Sequence, residues 1–229
     1  MNRRALLFAA LGLAGAVRAG AAGLDSIAHK DAVAGLRAAL EAGSGAAVEL
    51  LGRTDGFYRN ERVKIPLPES LARYEPLMRG LGIGRYADEL VLAMNRAAEA
   101  AVPEAKALLV DAVKKMSVQD AKAILAGGET AGTEYFRRTT SAPLRKRFRP
   151  IVAKATRTVK LAEVYDRYAE KGAQFGLVAR EHANLDDYVT QKALDGLFAI
   201  VAEEERKLRR DPARATSELL RRVFGALGP

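Results

Sequence analysis

The 229-residue chain has no cysteine, no tryptophan and only two histidines. Without a thiol there are no disulfide staples, no iron–sulfur cluster, no Cys-ligated zinc and no thiol catalysis. Two histidines exclude a His-rich metal centre. Neither His29 nor His182 follows a glutamate at the Glu-x-x-His spacing of di-iron bundles. His29 falls at a helix start and His182 in a loop, so both read as surface residues. The serine-nucleophile elbow, the Walker loop and the H-E-x-x-H motif are missing. Gly127-Gly128-Glu129-Thr130 reads as a helix stop followed by a new start, not as a phosphate loop. No window alternates with the period of a strand. No apolar run reaches the roughly 20 residues that span a bilayer. The motifs therefore imply neither a cofactor nor a metal.

What is present is positive charge. Lys and Arg total 37 against 28 Asp and Glu, a net charge of +9, with 49% hydrophobic and 28% charged residues. That balance excludes a disordered tail and a polytopic membrane protein.

Residues 1–23 read as an address. Arg3 and Arg4 precede an apolar run from Ala5 to Val17, and small residues follow from Ala19 to Ala22. This is the order of a secretory signal peptide, with cleavage after Ala19 or Ala21. Arg3-Arg4 raises a twin-arginine route, though the rest of that motif is missing. Loss of residues 1–19 removes three arginines and lowers the charge from +9 to +6. The expectation is an exported, periplasmic protein, for which a Cys-free chain is suited. The oligomeric state stays open.

Residues 24–229 are expected to form one all-α domain, a bundle of about nine or ten helices joined by short connections. The first helix runs from about Ser26 to Leu51. A loop from Arg53 to Pro66 contains the turn signal Thr54-Asp55-Gly56, and Ile65-Pro66-Leu67-Pro68 must be extended. Further helices are expected at Pro68–Leu81 with a break near Pro76, Gly84–Val102, Pro103–Met116, and from a Ser117/Asp120 capping box to Gly127. Glu129–Thr139 and a separate helix capped by Ser141 and kinked at Pro150 come next. Leu161–Gln174 follows, then a loop over Gly176–Asn184. Asn184 caps a long helix over Leu185–Arg209. A last short helix begins at Pro212.

Two helices carry the candidate chemistry. On Gly84–Val102 the polar strip is narrow, and Asn95 and Glu99 sit one turn apart, close enough to bond each other or to line a pocket. On Leu185–Arg209, with Leu197 at the centre of the apolar stripe, Thr190, Ala193, Val201, Glu204 and Leu208 fall on it, and Glu205 lies at its flank. A carboxylate in such a stripe is costly unless paired or neutral. Glu204 is therefore the leading candidate, as a ligand contact or as a buried pair with Arg96 or Arg137. Asn95, Glu99, Thr190 and Glu204 form the candidate ligand-binding set.

Residues 137–160 are basic and amphipathic. Arg145, Lys146, Arg149 and Lys154 are the candidate contacts to an anionic membrane or envelope polymer. Nucleic acid is not expected, given export and the lack of a stacking platform.

Several motifs resemble an exported bacterial family catalogued as a domain of unknown function, DUF4197-like. They are Thr54-Asp55-Gly56-Phe57, Lys64-Ile65-Pro66-Leu67-Pro68, Met94-Asn95-Arg96-Ala97-Ala98-Glu99, and Tyr188 to Phe198 followed by Glu203-Glu204-Glu205. Asp120-Ala121, Tyr135-Phe136 and Thr139-Thr140 fit as well. The resemblance covers the chain from the first helix to Phe224. It implies an exported all-helical protein and assigns no catalytic residue.

Three functions follow as expectations. The first is a periplasmic carrier for an apolar ligand such as a lipid, fatty acid or sterol-like molecule, held between helices. The second is an envelope interaction or scaffold module, with Phe57, Tyr58, Ile65 and Leu67 as loop anchors. The alternative for that loop is a strap packed over the core. The third is a hydrolase using Glu99 and Glu204 as acid and base.

Overall fold

The helical periodicity resolves into eight complete α-helices, one further helical stretch and no strand among the residues that the computed structural model describes, 29–166 and 184–211. They are α1 (His29–Gly52), α2 (Glu69–Ala72), α3 (Glu75–Gly80), α4 (Arg85–Ala101), α5 (Ala105–Lys115), α6 (Val118–Ala126), α7 (Ala131–Thr156) and α8 (Leu185–Arg210). A 3₁₀ turn, Val102–Glu104, joins α4 to α5, and residues 160–166 are also helical. The signal segment 1–23, His182 and its loop, and the helix expected after Pro212 lie outside the described residues.

Two of the three expected caps hold. Ser117 Oγ accepts from the Asp120 amide at 3.0 Å, and Asp120 Oδ2 accepts from the Ser117 amide at 3.1 Å. The Ser117 hydroxyl donates to Asp120 Oδ2 at 2.6 Å, and this bond, followed by that from the Ser117 amide, holds the Asp120 carboxyl below its ordinary range. Asn184 Oδ1 accepts from the Asp187 amide, and two aspartates occupy the first turn of α8.

The helix count differs from expectation at two places. The expected Pro68–Leu81 helix is two short ones, α2 and α3. The two helices expected around Thr139–Ser141 are one, α7, 26 residues long with Pro143 and Pro150 inside it. Ser141 does not cap; its hydroxyl returns to the Arg137 carbonyl, as Thr140 returns to Phe136. Both prolines are exposed, so their missing amides fall on the outer side. The inner side carries Phe136, Thr140, Leu144, Phe148, Val152 and Thr156 at every fourth position, all buried. That continuous stripe packs on α4 and α8, and its burial outweighs the local helix-breaking signals.

Helix α7 is central, in extensive contact with α8 and α4, while α1 covers α8 and α5. One end of the bundle is stitched by polar contacts. Thr156 Oγ1 donates to Asp186 Oδ1 at 2.7 Å, Tyr188 OH donates to the Pro66 carbonyl at 3.1 Å, and Ser70 Oγ bonds the Tyr165 hydroxyl at 3.4 Å. The end of α7, the start of α8, residues 160–166 and α2 therefore share that end, and α3 follows α2 two residues on.

Tyr188 makes this end sensitive to alkali. It is buried, and burial, with the nearby Tyr165 and Glu69, pushes its hydroxyl up to about 12. The folded protein then favours the neutral phenol more than the unfolded chain does. This contribution is fully present below pH ~10 and is lost as pH rises through about 12. Unfolding titrations should lose on the order of 2 kcal/mol across that window, allowing for solvent at the ring edge. Tyr188→Phe should flatten the loss.

Candidate functional site

The Arg53–Pro68 loop is a strap, and α4 holds it. Asp55 adopts a left-handed backbone, φ 68°, and Gly56 follows so close to the end of α1 that a Cβ would lie 2.5 Å from the Leu51 carbonyl oxygen. This turn drives the Phe57 ring onto Gly196 of α8, where a Cβ would stand 2.6 Å from it. Phe57 and Ile65 are fully buried, and Val63 and Leu67 nearly so.

The two polar residues of α4 clamp this strap and do not bond each other. Glu99 Oε1 accepts from the Phe57 and Tyr58 amides, both at 3.0 Å, and Arg96 donates to Glu99 Oε2 at 2.6 Å. Asn95 Oδ1 accepts from the Ile65 amide at 2.8 Å, and its Nδ2 donates to the Ile65 carbonyl at 2.9 Å and the Val91 carbonyl at 2.7 Å. Arg96 also reaches Asp55 Oδ1 at 2.7 Å, and these bonds, Glu99 first, raise the guanidinium pKa further above its usual value. A strap has no backbone ladder of its own, so side chains must satisfy its buried amides. Phe57, Ile65 and Leu67 thus serve the interior and are not available as anchors for a partner, while Tyr58 is half-buried between Lys64 and Arg96.

The special glutamate of α8 is Glu205, one residue beyond the expected position. Glu204 is only partly buried, its side chain 24% exposed, and its partner is Lys207 at 2.7 Å. Neither Arg96 nor Arg137 pairs with it. Arg137 lies over the Phe198 ring and near Glu134 and Asp195. Glu204 faces Gly43 of α1, with 3.6 Å between Cβ positions, and the missing glycine side chain leaves room for its stem to run out to water.

Glu205, 100° further round, is 5% exposed and faces the start of α7. It accepts from the Gly132 amide at 2.9 Å, and from the Thr133 amide and hydroxyl at 2.8 Å each. Arg209 donates to it at 2.9 Å and to the Ile124 carbonyl at 3.1 Å. One buried pair therefore caps the first turn of α7 and the end of α6, where orphan amides and carbonyls need partners. The one signal in the sequence is that Glu205 and Arg209 stand four apart on one helix; that Thr130 leaves the α7 start uncapped shows only in the structure.

Thr190 is fully buried and its hydroxyl has no hydrogen-bond partner. Beside Glu205, a cavity of about 10 Å³ lies between Leu36, Leu40, Val201 and Leu208, room for one water at most. The four candidate ligand residues are thus not gathered. Asn95 and Glu99 serve the strap, Thr190 lies in the core, and Glu204 pairs with Lys207 near the far end of α8.

The basic residues remain on the surface. Arg145 bonds Gln191, Arg149 pairs with Asp187 at 2.7 Å, and Arg147 approaches Glu104 at 3.7 Å. Lys146, Lys154 and Arg157 are exposed and make no ion pair among the described residues. No group of three or more His, Cys, Asp or Glu that suits a metal occurs among the described residues. No described helix is long and apolar enough to cross a membrane.

A family described as a protein of unknown function (DUF4197) matches the chain over residues 26–225. No curated protein and no solved structure matches it.

Proposed function

Because the chain belongs to the DUF4197 family of proteins of unknown function, which assigns no activity, we propose from its geometry that it is an exported envelope interaction module docking on an anionic surface through the outer face of α7. The observation that carries this is the charge pattern. Residues 137–160 hold nine Lys and Arg and no Asp or Glu. Carboxylates of neighbouring helices engage only part of the run, and Lys146, Lys154 and Arg157 are exposed and make no ion pair among the described residues. Each such cation near an anionic leaflet contributes about 1 kcal/mol, so three supply binding that salt can reverse.

The test is co-sedimentation of the mature protein with phosphatidylglycerol vesicles and with phosphatidylcholine vesicles. We expect binding to the first at low salt, release at high salt, and none to the second. No binding to the anionic vesicles at low salt overturns the proposal.

The second reading is a carrier for an apolar ligand. The buried, unpartnered hydroxyl of Thr190 favours it, since a ligand polar group would satisfy that oxygen. Thr190 does not line the cavity of about 10 Å³ between α1 and α8, so carriage requires the helices to part around that hydroxyl. A stoichiometric apolar molecule extracted from the purified protein, with no vesicle binding, would replace docking by carriage. A hydrolase drawing on Glu99 and Glu204 has least support. Three donors hold Glu99, and Glu204 pairs with Lys207.

A further inference from the structure

We infer that the anionic surface is a lipid bilayer and that the α2–α3 segment inserts Tyr74, Leu77, Leu81 and Ile83 into it; this rests on the docking reading above. Neither α2 nor α3 contains a buried residue. Yet the segment holds four large apolar side chains in water, Tyr74 54% exposed, Leu77 61%, Leu81 66% and Ile83 41%. Exposed apolar side chains grouped in one short segment mark an interaction site.

The segment is held in shape. Arg79 pairs with Glu75 and Asp88, both at 2.7 Å, and the Ile83 amide donates to the Met78 carbonyl at 2.9 Å, closing a turn at Gly82, φ 71°. Arg79 bridges Glu75 of α3 to Asp88 of α4, offsets one of their two negative charges, and holds the Asp88 carboxyl below its ordinary range. Exposed Arg73 and Arg85 flank the apolar residues, and Glu69 and Glu89 stand further along the chain on either side.

Position selects the partner. Ser70 bonds Tyr165, and the same end of the bundle receives the end of α7, with exposed Lys154, Arg157 and Lys160. An acidic polymer would answer the cations and leave the apolar side chains in water. An anionic bilayer accepts both, head groups at the cations and acyl chains at Leu77 and Leu81.

The chain has no tryptophan, so a single introduced one reports its own surroundings. The experiment adds phosphatidylglycerol vesicles to Leu77→Trp and, as control, to Val118→Trp. Val118 is also exposed, but it lies by α6 near Arg138, roughly 27 Å along α7 from Thr156. We expect the Leu77→Trp emission to move to shorter wavelength and its quenching by acrylamide to fall, with Val118→Trp unchanged. The pair Leu77→Asp and Leu81→Asp should weaken vesicle binding at least about tenfold while the helical circular dichroism stays the same. Unchanged Leu77→Trp emission on vesicles that do sediment the protein overturns insertion and leaves docking standing. Failure to sediment at low salt overturns both.

Discussion

Glu205→Ala should lower the unfolding free energy by about 3–5 kcal/mol, while Glu204→Ala, its neighbour, should cost less than about 0.5 kcal/mol. The first removes the only carboxylate of a buried pair. It strands the Gly132 and Thr133 amides at the start of α7 and the Arg209 guanidinium beside them. The second breaks a partly exposed pair with Lys207, a type that contributes little. In a chain of this length the larger loss corresponds to a fall in Tm of roughly 6–20 °C. Denaturant unfolding followed by circular dichroism measures both. Equal effects, or a larger one at Glu204, would contradict the assignment of the cap.

Glu99→Ala is the second large effect, and it should be local as well as global. The variant leaves the Phe57 and Tyr58 amides and Arg96 without their shared acceptor. The expected cost is about 3 kcal/mol, because each buried donor left unmade loses its desolvation compensation. The strap should open before the bundle does, since its shape depends on α4 side chains and not on a backbone ladder. Arg53, Arg59 and Arg62 are exposed along it and offer trypsin its cleavage sites once the backbone frees. Cleavage there should be about 100-fold faster in Glu99→Ala when opening and closing outpace cutting. Asn95→Ala should release the Ile65 end of the same strap. Cleavage confined to the bundle helices, with the strap still protected, would show that Glu99 does not hold it.

These two residues also show what can be read from the sequence and what cannot. Caps and turns are local, and they were legible: Ser117 with Asp120, Asn184, and the extended Ile65–Pro68. Asn95 and Glu99 stood out in the sequence as polar residues one turn apart on α4, and both are buried. Their partners, the backbone of a strap thirty or more residues away, depend on where the loop folds back. The choice between Glu204 and Glu205 depends on a single turn angle. A helical wheel centred on Leu197 assumes that the buried face runs straight. On α8 it moves round from Thr190 and Ala193 toward Val201, Ala202 and Glu205, because the start of α7 packs at that end. The continuity of α7 was hidden for a related reason. Proline and serine act on the backbone locally, while the Phe136-to-Thr156 stripe gains its stability only from α4 and α8.

Asn95, Glu99 and Glu205 serve the interior. The surface we propose for a partner is the cationic side of α7 with the exposed apolar residues Tyr74, Leu77, Leu81 and Ile83. The most direct measurement is vesicle co-sedimentation of a charge-reversed variant, Lys146→Glu with Lys154→Glu and Arg157→Glu. None of these side chains makes an ion pair among the described residues, so the melting temperature should hold within a degree or two. At about 1 kcal/mol for each cation lost, affinity for phosphatidylglycerol vesicles should fall by roughly 100-fold or more. Undiminished binding by a variant that folds normally would contradict the docking of this protein through α7.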